Sequence, residues 1–553
     1  VATGRATPSV RRPTPTHPIS DEVVTTVERT IVALPIPADA EKILPYEVEK
    51  YAANGYGRWE YGPGVPVLRR TDLLGDAATA EPAADPHRLL RFFTITDVHI
   101  TDQQSPAQAI LIGYKGGSPL AICAYSMVMP YTVHVLDAVV QTINALHERD
   151  PFDFGIGLGD ACNSTQFNEL RWYIDVLDGK VISPRSGTDD DTDLVDYLRD
   201  FQAAGLDPSI DWYQAIGNHD QFWMGVMPAD DHLREVLAGD EILDVGDIFG
   251  DPEGMDSRGL YMGSLDCSTE IPRIIGIGPE SEFPEPPRIP GADPRRRSLR
   301  KSEWIGEFLD STSTPAGHGF DRAAADAEDA CYSFRPDADV PIKVIALDDT
   351  QRVDDENVVG LGGYGHGSLT RRRFDWLVAE LEAGQVEDQL MIVACHIPIR
   401  IQEPGFVWWS SVSEVSEDEL VEALQRFPNL ILWAAGHRHM NTVTVVESPD
   451  PARPELGFYE VETFSLRDFP QEFRTFDVQA NGDGTVSVVA TCVDPAVAEG
   501  SPAASSRDYA VASFQLFTEP DDVHAGGPVN VELVVPLSAR MAEVVDALAA
   551  PAA

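Results

Sequence analysis

The sequence predicts an α/β body whose parallel strands are covered by helices on both faces. Two observations carry this expectation. Short apolar runs alternate with segments of helical apolar spacing from residue 89 to about 435, and five of the runs end in a polar tip of Gly, Asp, Asn and His. Alternation of strand and helix requires crossover connections, which lay helices over both faces of a parallel sheet.

Residues 1 to about 88 are rich in Pro, Ala and Thr with weak periodicity, which predicts a disordered start followed by an extension packed on the body. Leu89, Leu90, Phe92, Phe93 and Ile95 mark the first strand, and Leu136, Val139, Val140, Ile143 and Leu146 recur at helical spacing. Phe152 to Leu158 reads as a strand, and Leu170, Tyr173, Ile174 and Leu177 mark a helix closed by Gly179. Trp212 to Ile216 and Ile342 to Leu347 are further strands. Phe374, Leu377, Val378 and Leu381 form a helix face with Thr370 as N-cap and Gly384 beyond its end. Leu390 to Ala394 is a strand, Ser416 and Glu419 stand in capping-box relation before another helix, and Leu430 to Ala434 is the last of the series.

Three regions follow: an N-terminal extension (1–88), a body (89–470) and a β-rich C-terminal region (471–553) with strands at 485–491 and 529–535. The stretch at about 240–340, rich in Pro, Gly and charge, predicts a long surface insertion within the body.

Composition narrows the function classes. The chain has 553 residues, 90 Asp plus Glu against 41 Lys plus Arg, and a formal net charge of −49, so it should repel nucleic acid and anionic membrane surfaces. No stretch approaches the ~18 continuous apolar residues of a membrane span. Six dispersed cysteines include no C-x-x-C. Arg11–Arg12 leads into Pro-Thr-Pro and not into an apolar stretch, so no intact signal peptide is expected. Export behind a trimmed leader and a cytoplasmic location are both open, as is the oligomeric state.

The chemistry lies at the strand tips, where α/β folds place their ligands. The tips read Asp97-Val98-His99, Gly159-Asp160, Gly217-Asn218-His219-Asp220, His396 and Gly436-His437-Arg438-His439. In extended geometry Asp97 and His99 share a face, as do His437 and His439. Carboxylates and imidazoles gathered directly after apolar runs are a costly way to end a core unless cations neutralise them. That combination of residue types points to metal binding.

In this order the tips resemble the calcineurin-like metallophosphoesterase superfamily, whose motifs are D-x-H, G-D, G-N-H-(D/E), H and G-H-x-H. The resemblance spans about 89–470, and the segments Ser126–Pro130 and Ser465–Pro470 look like those of an uncharacterised bacterial branch. It implies a four-layer α/β/β/α sandwich of two mixed sheets flanked by helices, acting on a small-molecule phosphoester with two divalent metal ions. Asp97, His99 and His439 would hold one ion, Asn218, His396 and His437 the other, and Asp160 would bridge them. Hard oxygen with imidazole suits Mn²⁺, Fe²⁺, Zn²⁺ or Co²⁺. Such a pair lowers the pKa of a shared water from about 15.7 towards neutrality and so supplies a nucleophile. His219 is expected to protonate the leaving oxygen, with Asp220 orienting it. The purple acid phosphatases of this superfamily place an iron-binding Tyr three residues after the bridging Asp. Here Asn163 stands in that position, as a candidate to touch substrate or to orient Asp160, with closure of the loop as the structural alternative. Asn218 is a candidate for substrate contact as well.

Other features are expected to be structural. Asp189, Asp190, Asp191 and Asp193 lack the turn glycine of a calcium loop. Gly360-Leu361-Gly362-Gly363-Tyr364-Gly365 follows no strand closely enough to bind a dinucleotide. Cys395 should be a core thiol and His366 a solvent-facing loop residue, while Trp408 and Trp409 are either a cleft rim or core. Against the hydrolase stands an alternative, a metal-bound scaffold without catalysis. Within the hydrolase reading a phosphodiester is favoured over a monoester, because it suits an acidic protein better.

Overall fold

The computed structural model describes residues 12–77, 86–114, 124–187, 194–246, 258–353, 364–399, 409–410, 412–517 and 529–549. Asp189 to Asp193, Gly360 to Gly363 and Trp408 therefore lie outside the described residues.

Two mixed sheets face each other. The seven-stranded sheet runs, in spatial order, Leu68–Arg70, Val531–Pro536, Thr485–Val493, Phe473–Ala480, His87–Ile95, Phe154–Leu158 and Asp211–Ala215. The six-stranded sheet runs Tyr332–Phe334, Ile342–Ala346, Leu390–Ala394, Leu430–Ala435, Phe458–Glu462 and Thr442–Val446. Within the first sheet His87–Ile95, Phe154–Leu158 and Asp211–Ala215 are parallel. In the second, the strands beginning at Ile342, Leu390, Leu430 and Phe458 are parallel. Phe154–Leu158, Ile342–Ala346, Leu390–Ala394 and Leu430–Ala435 are buried throughout, which is why they read as continuous apolar runs.

One core lies between the sheets, where Phe92, Phe154, Ile156 and Phe476 meet Val344, Ile392, Leu432 and Val461. The Phe92 ring stacks between Phe154 at 4.9 Å and Phe476 at 4.7 Å. Such pairs add about 0.5–1.5 kcal/mol each beyond the area they bury. A second core lies outside the first sheet, under helices Thr132–Arg149 and Phe167–Leu177. A third lies outside the other sheet, under Arg371–Val386 and Glu417–Leu424. The order helix, sheet, sheet, helix is the four-layer sandwich.

Local sequence explains the helix limits. Thr370 accepts the Arg373 N–H at 3.2 Å and Ser416 accepts the Glu419 N–H at 3.2 Å, so each caps a helix start. The first of these helices runs past Gly384 to Val386 instead of stopping before it. A Cβ at Gly384 would lie 2.5 Å from Met391 Sδ, so the glycine lets helix and sheet approach closely.

The outlying regions are tied into the body. In the N-terminal extension Arg29–Ala33 pairs with Trp59–Pro63, and Thr26, fully buried, donates to the Cys492 carbonyl at 2.9 Å. The stretch at 240–340 forms a three-stranded antiparallel sheet of Asp244–Val245, Leu260–Asp266 and Arg273–Pro279. Beyond it, Trp304, Phe308 and Phe320 are buried in the core under Phe167–Leu177, so this part is not surface. The strands after residue 470 lie in the same sheet as Asp97's strand, Phe473–Ala480 pairing antiparallel with His87–Ile95. Two helices, Pro502–Phe517 and Ala539–Ala549, also form there. In Pro502–Phe517 the buried positions are largely Ala and Ser, which leaves little apolar period to read.

Candidate metal centre

All five polar tips meet at the ends of the parallel strands, with three from the first sheet facing two from the second. The tips run side by side beyond the regular ladder: Asp97 N donates to Gly159 O at 3.2 Å, His99 N to Asp160 O at 3.0 Å, and Gly436 N to His396 O at 2.9 Å. Hydrogen bonds also cross between the sheets. His437 N donates to Asp97 Oδ2 at 2.9 Å, and His396 Nδ1 donates to the Leu158 carbonyl at 2.8 Å.

The tips are not extended. Asp97, His99, Asp160, His437 and His439 have φ of 49°, 46°, 53°, 81° and 55°, five of the twelve non-glycine residues with positive φ among the described residues. Left-handed turns, and not the alternation of an extended strand, bring these side chains together, and Asp and His tolerate such turns better than most residues. Each costs on the order of 1–3 kcal/mol, and such strain clusters at functional sites. Neighbouring glycines make room. A Cβ at Gly217 would stand 2.1 Å from Asp160 Oδ1, and one at Gly436 would stand 2.6 Å from Asp97 Oδ2.

The donor atoms form two groups that share Asp160. In the first, Asp97 Oδ1 lies 3.8 Å from His99 Nε2 and 3.4 Å from His439 Nε2, and the two imidazole nitrogens are 3.0 Å apart. In the second, Asn218 Oδ1 lies 2.8 Å from His396 Nε2 and 3.1 Å from His437 Nδ1. Asp160 Oδ2 is 3.8 Å from His99 Nε2 and 3.2 Å from His396 Nε2, so one oxygen faces both groups. The Asn218 amide is turned oxygen-inward because its Nδ2 donates to the Gly225 carbonyl at 3.0 Å.

This donor set fits divalent cations. Asp97 Oδ1 is buried and makes no hydrogen bond among the described residues, with His439 Nε2 3.4 Å away. Asp97, His99 and His439, and likewise Asp97, Asp160 and His396, bring ligand atoms within 4.8 Å of one another. Burial opposes charge on Asp97 and Asp160, yet the facing imidazoles pull both carboxyls below their ordinary range. Burial also opposes a proton on His396, but Asp160 and Asp97 overcome it and push the imidazole up to about 10. Burial, with His219 and His439 close by, drives His99 well below 6.5. The centre demands positive charge while its imidazoles cannot all carry it.

His219 lies at the edge of both groups. Its backbone N–H donates to Asp160 Oδ1 at 2.8 Å, and its Nδ1 donates to the Asn163 carbonyl at 2.7 Å, which leaves Nε2 as the ring nitrogen not turned to that carbonyl. Asp220 does not orient it. The Asp220 carboxylate instead accepts backbone N–H groups of Asp160 at 3.0 Å, Cys162 at 3.1 Å and Gly217 at 2.9 Å, which fastens two tips together. The His219 Nδ1 hydrogen that Asp220 would have accepted goes to the Asn163 carbonyl. The Asn163 side chain is fully buried and accepts from Arg467 Nη1 at 3.3 Å, while its backbone carbonyl accepts from His219 Nδ1. Trp409 and Cys395 are core residues, and His366 is half-buried.

The chain matches no protein-family model and no curated protein. Among solved structures it is similar to a dimetal phosphatase from Danio rerio, with 11% identity and a TM-score of 0.39 over 74% of this chain and 97% of that one. It is also similar to a protein assigned as a 5′-nucleotidase from Staphylococcus aureus, with 12% identity and a TM-score of 0.29 over 74% of this chain. The alignment spans 54% of that second protein.

Two further carboxylates support the tips. Asp349 accepts the His396 N–H at 3.3 Å and the Ile397 N–H at 2.9 Å, and Asp468 accepts from His439 Nδ1. Asp349 follows the strand Ile342–Ala346 as the other tips follow theirs, so strand-tip position marks it in the sequence.

Proposed function

We propose that the protein is a phosphoester hydrolase of the calcineurin-like metallophosphoesterase type, dependent on two divalent cations, with phosphodiesters preferred to monoesters. The observation that carries the reading is Asp160 Oδ2, a single oxygen facing His99 Nε2 at 3.8 Å and His396 Nε2 at 3.2 Å. Asp97, His99 and His439 would hold one cation, Asn218, His396 and His437 the other, and Asp160 both. Cations bound there would activate water and offset charge on the phosphoryl oxygens.

The chain's own residues supply the rest. Leu158 and Asn163 carbonyls fix the Nδ1 protons of His396 and His219, so that Nε2 of each ring is turned to the centre. His219 Nε2 carries the proton delivered to the departing oxygen. A diester brings less negative charge than a monoester to a chain of net charge −49, which supports the diester preference.

The test is turnover of bis-p-nitrophenyl phosphate and p-nitrophenyl phosphate by protein loaded with Mn²⁺. The expected result is hydrolysis of both with a higher kcat/KM for the diester. A higher value for the monoester would reverse the preference. Turnover of neither, with the metal demonstrably bound, would leave the protein a metal-bound scaffold.

A further inference from the structure

Asp468 is not among the seven donors, yet its Oδ2 accepts the Nδ1 hydrogen of His439. The segment carrying it is fixed to the Asp97 tip. Ser465 Oγ donates to the Asp97 carbonyl at 2.9 Å and accepts the Arg467 N–H at 2.9 Å, while Leu466 N donates to Thr96 O at 3.3 Å. Arg467, fully buried, donates to Thr101 Oγ1 at 2.7 Å. Asp468 is thereby held by the same backbone that carries Asp97 and His99.

His439 sits at φ 55° beyond the end of its strand, with 13% of its side chain exposed. His396 and His219 are oriented by neutral backbone carbonyls, whereas His439 is oriented by an anion. A carboxylate on Nδ1 keeps the proton there, leaves Nε2 as a lone pair, and makes the ring a stronger donor.

We infer that Asp468 is a positioning residue for the half-site of Asp97, His99 and His439, holding His439 in the Nδ1–H tautomer with Nε2 towards His99 and so strengthening cation binding by that half. The inference rests on the proposed role of these side chains as metal ligands. Its test is calorimetric titration of Mn²⁺ into chelator-stripped wild type, Asp468→Asn and Asp468→Ala, with each fold checked by thermal unfolding. Wild type should take up two ions. Asp468→Ala should bind one of them about 10–100-fold more weakly and the other unchanged. Asp468→Asn, which keeps an acceptor oxygen, should fall between and decides the matter if the alanine variant does not fold. Imidazole ¹⁵N spectra should place the His439 proton on Nδ1 in wild type and on a mixture of nitrogens in Asp468→Ala. Wild-type affinity in the folded variants, or an unchanged tautomer, overturns the role of Asp468 and leaves the metal ligands standing. No Mn²⁺ uptake by wild type overturns both.

Discussion

Asp160 is tied to His219 through the backbone: its Oδ1 accepts the His219 N–H at 2.8 Å, which turns Oδ2 towards His99 and His396. The carboxylate that joins the two donor groups also sets the place of the proposed acid. Asp160→Asn keeps the shape and removes the charge. Turnover should fall by at least about 10²–10³-fold, with fewer than two cations retained per chain by elemental analysis. Full cation content with undiminished turnover would show that the two groups do not depend on Asp160.

His219→Ala separates proton delivery from cation binding. Esters with poor alkoxide leaving groups should lose about 10²–10⁴-fold in kcat, p-nitrophenyl esters much less, and cation content should not change. Equal losses on both substrate types would mean that His219 acts on something other than the leaving oxygen.

Gly225 tests how tightly these side chains are packed. It has φ +73°, and a Cβ there would lie 2.4 Å from both His219 Nε2 and Asn218 Nδ2. Gly225→Ala must shift backbone or imidazole, so the expected outcome is a turnover loss comparable to that of His219→Ala, with a stability loss of roughly 1–3 kcal/mol in denaturant unfolding. Unaltered kinetics would show that the loop yields without moving His219.

Much of this arrangement is legible in the sequence because each of these apolar runs is followed within two residues by Asp, Asn or His, with Gly beside Asp160, Asn218 and His437. That pattern places Asp97, Asp160, Asn218, His396 and His439 in one region without any knowledge of how the sheets pack. What periodicity does not encode is the turn each tip makes. Asp97 and His99 are left-handed, not extended, and Asp220 bonds backbone groups from Asp160 to Gly217 that are remote in sequence. Trp304 and Phe308 were hidden by the Pro-rich composition around them, although both are fully buried. Asp468 lies in the segment Ser465–Pro470 that the resemblance marks, but its role is not legible there, since its contact with His439 spans 29 positions and arises only when the 465–468 segment lies along the Asp97 tip.

The pH dependence of folding gives a test remote from the centre. His318 is fully buried, stacks on Trp212 at 3.5 Å and donates from Nδ1 to the Trp212 carbonyl at 2.9 Å. Burial lowers its pKa from 6.5 to about 4. The folded-state value is depressed, so between about 4 and 6.5 the unfolded chain binds more protons than the folded one. The contribution of neutral His318 is therefore fully present above 6.5 and is lost as pH falls through 4, a total on the order of 3 kcal/mol. Buried carboxyls act in the opposite sense, Asp137 being raised to about 6, so the wild-type curve alone is ambiguous. The difference between wild type and His318→Asn isolates the imidazole, and asparagine tolerates the left-handed φ of 50° at this position. Lost stacking costs the variant the same at every pH. The stability gap measured by denaturant unfolding should thus be constant above pH 6.5 and narrow steadily towards pH 4. A gap independent of pH across that range would mean that His318 is protonated in the folded protein as readily as in the unfolded chain.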